Sequence, residues 1–437
     1  MDQFGFSTNS QGTQHLLIID ISEVLSYQGS SPILLEKGVV SFLKAPFNHW
    51  IFVADQKESF HQFGALPKKL PSGVFKIEAN GFNPEDIQLG WGLGSYQFGR
   101  YKTKPKEKLV FLFVENLEVK NVLSAIYTTR DLINTPPNDM GPFEFAQYAK
   151  NLFKDSPEIK VQIHDTEKDW PSVFAVGSGS DRKPYVLEID WSPENSKFSL
   201  GIAGKGICFD TGGYNLKTGT GMNLMKKDMA GGAQALALTK WICDAKLPIK
   251  LKTIIPLAEN SISGRAYRPS DIIRTKKGIT VEVGDTDAEG RIVLCDALHA
   301  LSEIAPDLII DFATLTGAAR VALGTELPAV FSNHDQTARD LVALSHDIHD
   351  PLWHMPLYHP YRESLSSKIA DINNIGSTSY GGAITAALFL NDFVPTHIPW
   401  VHIDFMGWNL TSKPARPEGG ESMGMRSVFE FLKRKTI

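Results

Sequence analysis

This sequence has little cysteine, no long apolar run and no excess of positive charge, and each shortage removes a class of protein. Three cysteines in 437 residues, Cys208, Cys243 and Cys295, are too few for a disulfide framework. They point to a reducing, cytoplasmic setting. No stretch reaches the roughly 18–20 apolar residues of a membrane helix. The opening MDQFGFSTNSQGTQH lacks a basic segment followed by an apolar one, so no secretory signal is expected. Lys and Arg total 44 against 49 Asp and Glu, a net charge of −5 that disfavours nucleic acid as a partner. A content of 42% hydrophobic and 21% charged residues excludes a disordered or coiled-coil chain. His-Glu-x-x-His is absent. Gly204-Lys205-Gly206 does not continue as a phosphate loop, and Gly177-Ser178-Gly179-Ser180 is not a nucleophile elbow.

What is present alternates. His15–Asp20, Trp50–Ala54 and Leu109–Val114 read as buried strands of a small N-terminal α/β domain, residues 1–120. Arg100, Lys102, Lys104, Lys106 and Lys108 form a basic run, read as a solvated loop or strand edge. Val122, Leu123, Ile126 and Ile133 recur at helical spacing, and Pro136-Pro137 stops the pattern. Residues 121–135 therefore read as a linker helix. In residues 136–437, strand candidates are Tyr185–Trp191, Phe198–Ala203, Lys250–Leu257, Leu308–Phe312 and Trp400–Phe405. Helices read at Ala230–Asp244 and Arg291–Glu303. Apolar strands alternating with helices predict a larger α/β domain with a mostly parallel central sheet, its site at the strands' carboxyl ends.

Two segments carry the chemistry. Gly204–Lys217, with Met225–Met229 beyond it, supplies Lys205, Asp210, Lys217 and Asp228. Val283–Arg291 supplies Asp287, Glu289 and Arg291, which would share one side if the segment were extended. Carboxylates suit hard or borderline divalent cations. Four of them exceed the needs of one catalytic ion, so a two-metal hydrolytic site is the hypothesis. Such a site is also compatible with phosphatase or nuclease chemistry. The cluster His346, His349, His354 and His359 is read as an ordered surface segment, and Cys208 and Cys295 as buried small hydrophobes.

Asp-Thr-Asp-Ala-Glu-Gly-Arg at 285–291 resembles the Asn-Thr-Asp-Ala-Glu-Gly-Arg signature of the leucyl aminopeptidase (cytosol aminopeptidase) family of dinuclear-metal exopeptidases. The likeness extends through Ala258-Glu259-Asn260, Asp311–Ala318, Ala370–Asn374, Gly382–Ala386 and His402-Ile403-Asp404, over roughly residues 130–425. The resemblance implies that 136–437 is the catalytic domain of an aminopeptidase acting on peptides with a free N-terminus. It implies two divalent ions per subunit, Zn or Mn, with Co or Mg as alternatives. Lys205, Asp210, Asp228 and Glu289 would hold the tighter ion, and Asp210, Asp287 and Glu289 the more exchangeable one. Lys217 would act as electrophile, and Arg291 would hold a bicarbonate as general base. The pocket for the first side chain maps to Met225, Thr314, Gly317, Met406 and Asn409. A homohexamer is also implied, and a DNA-binding or scaffolding role is the non-enzymatic alternative.

This chain departs from the family at three places. Asp285 replaces the usual Asn and adds an anion beside the metal ligands. Ala230 replaces a usual Gly at a helix start, a mild change. Met406 stands where Ala is common and should fill part of the pocket, shifting preference away from large branched or aromatic first residues.

Overall fold

The computed structural model describes residues 3–9, 12–24, 35–43, 49–79, 81–103, 110–113 and 116–437. The chain divides into two compact units. One comprises Met1–Tyr127 with Asn409–Glu418, the other Thr128–Trp408 with Gly419–Ile437. The helix Leu117–Asn134 contains the division, and it stops where Pro136-Pro137 requires.

The first unit holds a six-stranded sheet. Its spatial order is Phe6–Ser7, Val110–Phe113, Gly73–Ala79, Gln14–Asp20, His49–Ala54, Val40–Leu43. Only the last pair is antiparallel. The apolar runs at 15–20 and 50–54 form neighbouring inner strands, as their composition predicts. Arg100 and Lys102 are exposed, as expected of a solvated run. Lys104, Lys106 and Lys108 lie outside the described residues, as do the two ends of the strand read at 109–114.

The second unit is built on a nine-stranded sheet. Its central strands, Trp400–Asp404, Leu308–Ala313, Phe198–Gly204 and Ile249–Asn260, run parallel. Leu308–Ala313 and Trp400–Asp404 are buried at every residue, as strands covered on both faces must be. Antiparallel neighbours flank this centre, Ala329–Ser332 on one side and Tyr185–Trp191 on the other. The edge strand Lys160–His164 keeps no fully buried residue and opens on a lysine, which blunts pairing with another chain. Gly206–Asp210 pairs with the far half of Ile249–Asn260. Helices Ala230–Asp244 and Glu289–Glu303 pack on this sheet with their apolar stripes inward. The predicted α/β architecture with a mostly parallel sheet is the one observed.

Two polar pairs are sealed into this unit. Arg130 Nε and Nη2 donate to the two carboxylate oxygens of Glu421 at 3.0 and 2.9 Å, pinning the C-terminal segment to the helix Leu117–Asn134. Beneath the sheet's carboxyl edge, Asp311 accepts from His402 Nδ1 at 2.6 Å and from Trp400 Nε1 at 2.7 Å. Asp311 and His402 are register partners on adjacent strands, so backbone pairing itself places them together.

Candidate active site

Parallel strands deliver their carboxyl ends to one side of the sheet, and the chemistry collects there. Lys205 follows Phe198–Gly204, Asp210 ends Gly206–Asp210, Asn260 ends Ile249–Asn260, and Thr314 follows Leu308–Ala313. Asp228 sits in a 3-10 turn, Met225–Met229, that runs into the helix Ala230–Asp244. Glu289 opens the helix Glu289–Glu303. The helix start expected at Arg291 is therefore corrected, and with it the extended geometry in which Asp287, Glu289 and Arg291 would share one side. The helix begins at Glu289, and Asp287 lies in the turn before it. Asp287, Glu289 and Arg291 reach different partners as a result.

The two lysines interleave with the four carboxylates. Lys205 Nζ lies 2.7 Å from Asp228 Oδ2 and 2.7 Å from Glu289 Oε1. Lys217 Nζ lies 2.7 Å from Asp210 Oδ2 and 2.5 Å from Asp287 Oδ1. Lys205 is sealed, whereas the Lys217 side chain keeps 15% of its surface exposed. Gly290 makes room for this crossing. A Cβ there would come within 2.6 Å of Lys205 Nζ, so any other residue would displace the lysine.

A frame of neutral side chains holds the carboxylates. Asp210 Oδ1 accepts from Asn260 Nδ2 at 2.8 Å and from Gly212 N at 2.9 Å. Thr314 Oγ1 donates to Asp228 Oδ1 at 2.7 Å. Asn260 Nδ2 and Tyr267 Oη both donate to the Thr286 carbonyl, fixing the turn that carries Asp287. Gly213 has φ +62° and would place a Cβ 2.9 Å from Thr286 Oγ1, so the turn needs glycine twice over. Asn374 receives the Gly284 and Asp285 amides and donates to the Asp285 carbonyl. Asp285 Oδ1 in turn accepts from Asp287 N at 2.8 Å, so its added charge sits directly behind a proposed ligand.

One oxygen each from Asp210, Asp287 and Glu289 lies within 4.8 Å of the other two. Like charges this close demand cations. Asp228 Oδ2, Asp287 Oδ1 and Glu289 Oε1 are buried oxygens without a hydrogen-bond donor in good geometry; the lysine ammoniums alone face them. Burial and the charge of Asp210 push Glu289 well above the ordinary carboxyl range and Asp287 up to about 6. Asp228 goes the other way. Burial opposes ionisation there, but Lys205, Lys227 and Lys217 hold the carboxyl down at about 2. Burial likewise disfavours the Lys205 ammonium, and Asp228, Glu289 and Asp210 outweigh it, keeping the proton on. Acceptor oxygens in excess of fitted donors are what divalent cations require, so the donor set fits such ions.

Arg291 is buried. Its Nη1 donates to the Asn374 carbonyl at 2.6 Å, while its Nε is sealed in without a partner. Burial brings its guanidinium down to about 10, which still leaves it charged near neutrality. Met225 opens the turn that carries Asp228, Thr314 bonds Asp228, and Gly317 opens the helix Gly317–Leu323. Met406 follows Trp400–Asp404. Asn409 belongs to the segment that groups with the first unit, where it is buried and donates to the Pro417 carbonyl. Cys208 and Cys295 are buried, and burial pushes both thiols up, consistent with packing residues. Among the described residues, the histidines at 346, 349, 354 and 359 do not converge on a metal-binding cluster.

Residues 127–429 match the profile of the cytosol aminopeptidase family, catalytic domain, and residues 49–113 that of the M17 aminopeptidase N-terminal domain. The chain belongs to the cytosol aminopeptidase family. It is thus a hydrolase of the aminopeptidase class. A probable cytosol aminopeptidase of Sulfurihydrogenibium sp. is 37% identical over 80% of this chain and 73% of its own length. The crystal structure of the cytosol aminopeptidase from Coxiella burnetii superposes with a TM-score of 0.93 at 40% identity, covering 98% of each chain. The bottromycin maturation enzyme BotP, solved in complex with Mn, gives a TM-score of 0.87 at 27% identity, over 97% of this chain and 99% of its own.

Proposed function

We propose that this chain removes the first residue from peptides, using two divalent ions held by Lys205, Asp210, Asp228, Asp287 and Glu289. The supporting observation is the interlocked set of four carboxylates and two lysines at the sheet's carboxyl edge. Zn or Mn suits the donors best, with Co or Mg as alternatives. When bound, such ions supply an activated water and polarise the scissile carbonyl. Lys205 can join them only as the neutral amine, because an ammonium has no lone pair. Lys217, the more accessible lysine, stays protonated and donates to the carbonyl oxygen as negative charge develops.

Arg291 offers a buried, unsatisfied Nε beside a tethered Nη1, a grip suited to a planar anion such as bicarbonate. A bicarbonate bound there would supply the general base, since the nearby His402 is sealed in its pair with Asp311. The free α-amine of the substrate completes recognition, which confines cleavage to the first peptide bond. Met225, Thr314, Gly317 and Met406 form the pocket for the first side chain. The same reading carries a homohexamer in a cytoplasmic setting.

The test is a panel of alanyl, leucyl, phenylalanyl and N-acetylalanyl amides on the metal-loaded enzyme. Alanyl amide should be cleaved with the highest kcat/KM of the four, because Met406 occupies pocket volume. The acetylated amide should be inert. A leucyl or phenylalanyl optimum contradicts the pocket assignment, and cleavage of the acetylated amide contradicts the exopeptidase mechanism.

A further inference from the structure

The mechanism leaves one buried cation unused. Lys227 sits between Met225 and Asp228 in the same 3-10 turn and is only 1% exposed. Among the described residues its ammonium has no hydrogen bond or ion pair. A second cation is close by. Arg320, on the helix Gly317–Leu323, folds back so that its Nη2 lies 3.8 Å from where a Cβ on Gly317 would stand. Its Nη1 is buried without a hydrogen-bond partner. The charges that bear on Lys227 are Asp228, Arg320, Lys205 and Asp404.

Neither nearby carboxylate is spare. Asp228 is engaged by Lys205 and Thr314. Asp404 is taken up by Leu315 N, Thr316 N and Thr316 Oγ1. Buried Lys227 and the half-buried Arg320, with its sealed Nη1, are thus left without an ion-pair partner among the described residues. Burying an unpaired charge is costly, and proteins keep one where it meets a ligand. Both donors neighbour residues assigned to the pocket: Lys227 shares the turn of Met225, and Arg320 Nη2 reaches over Gly317.

We propose that Lys227 and Arg320 form the floor of the pocket for the first side chain and select peptides that begin with aspartate or glutamate. The inference rests on the aminopeptidase reading and on the pocket assigned with it. The side-chain carboxylate would accept from the guanidinium fork and from the ammonium, a charge-assisted pairing that a neutral isostere cannot reproduce. A peptide's C-terminal carboxylate could supply the same chemistry. Aminoacyl p-nitroanilides carry no such group, so with them only the side chain can answer.

The experiment measures kcat/KM for glutamyl, glutaminyl, aspartyl and asparaginyl p-nitroanilides on the metal-loaded enzyme and on Lys227→Met and Arg320→Gln. The wild type should favour each acid over its amide by at least about 10-fold. Lys227→Met should lower that ratio by at least about 30-fold, mostly through KM, and Arg320→Gln should move it the same way. If Lys227→Met does not fold, Arg320→Gln decides. An amide cleaved as well as its acid by the wild type overturns the inference, as does a ratio that neither substitution moves. A purely structural role would lower acid and amide together. Failure to cleave any of the four while alanyl p-nitroanilide is cleaved overturns this inference alone, and failure to cleave all five overturns the aminopeptidase reading with it. Cleavage without acid preference overturns this inference alone.

Discussion

Lys217→Ala lowers kcat by about 10²–10³-fold and leaves the metal content nearly unchanged. The two effects separate because Lys217 is a neighbour of the proposed ligands rather than the sole ligand of either ion. Its Nζ sits between Asp210 and Asp287. With divalent ions among the carboxylates, their charge no longer needs the ammonium, and the side chain is free to serve the substrate. Its partial exposure gives the scissile carbonyl access to it, which sealed Lys205 lacks. Burial lowers the proton affinity of the Lys217 amine, but the charges of Asp210, Glu289 and Asp228 more than restore it, so a donor proton is present at neutral pH. Stopped assays paired with metal analysis of the variant check this. Turnover that survives the substitution would remove Lys217 from the chemistry.

His402→Leu destabilises the second unit by about 3–5 kcal/mol near neutral pH, the range expected when a buried ion pair loses one partner. Asp311 is fully buried, and among the described residues its two oxygens are served by His402 and Trp400 alone. Leucine leaves one oxygen against methyl groups. The wild-type pair also carries a pH signature. Burial disfavours the imidazolium, but Asp311 outweighs it, with help from Asp404 and against Arg291, so the folded pKa is raised. A raised pKa gives stability that is fully present below the unfolded value, about 6.5, and lost as pH rises through the folded value. Urea unfolding of the wild type between pH 6 and 9 should show that decline, and His402→Leu should lack this component. Equal stability of the two proteins across the range would contradict the pairing.

The sheet was legible because its central strands are covered on both faces. Leu308–Ala313 and Trp400–Asp404 are continuous apolar runs broken by Asp311, His402 and Asp404, and each of those polar residues is paired or bonded. Boundaries moved by a few residues at most, as for Ile249–Asn260, whose last turns of apolar pattern end on a polar residue that serves the site. The ligand set was legible only through its motif. Spacing put Asp287, Glu289 and Arg291 on one face only if the segment were extended, and the helix start at Glu289 removes that condition. The supporting frame was the least visible part. Asn260, Thr286, Tyr267 and Asn374 act through backbone carbonyls and amides far apart in the chain, and no residue type or period announces such bonds. Thr314 was read as pocket lining, yet its hydroxyl also fixes Asp228. Lys227 gave no signal because one lysine beside Asp228 reads as an ordinary surface charge until its burial is seen.

The cage of carboxylates and lysines is tested most directly by metal analysis of freshly purified enzyme, with Glu289→Gln beside it and activity followed through chelation and return of Zn, Mn or Co. Glu289 faces Lys205, and its other neighbours at the cluster are Asp210 and Asp287. The expected result is about two divalent ions per chain in the wild type, activity lost with them and regained on their return. Glu289→Gln should bind markedly less metal. A metal-free enzyme that still trims peptides at full rate would contradict the assignment at its root.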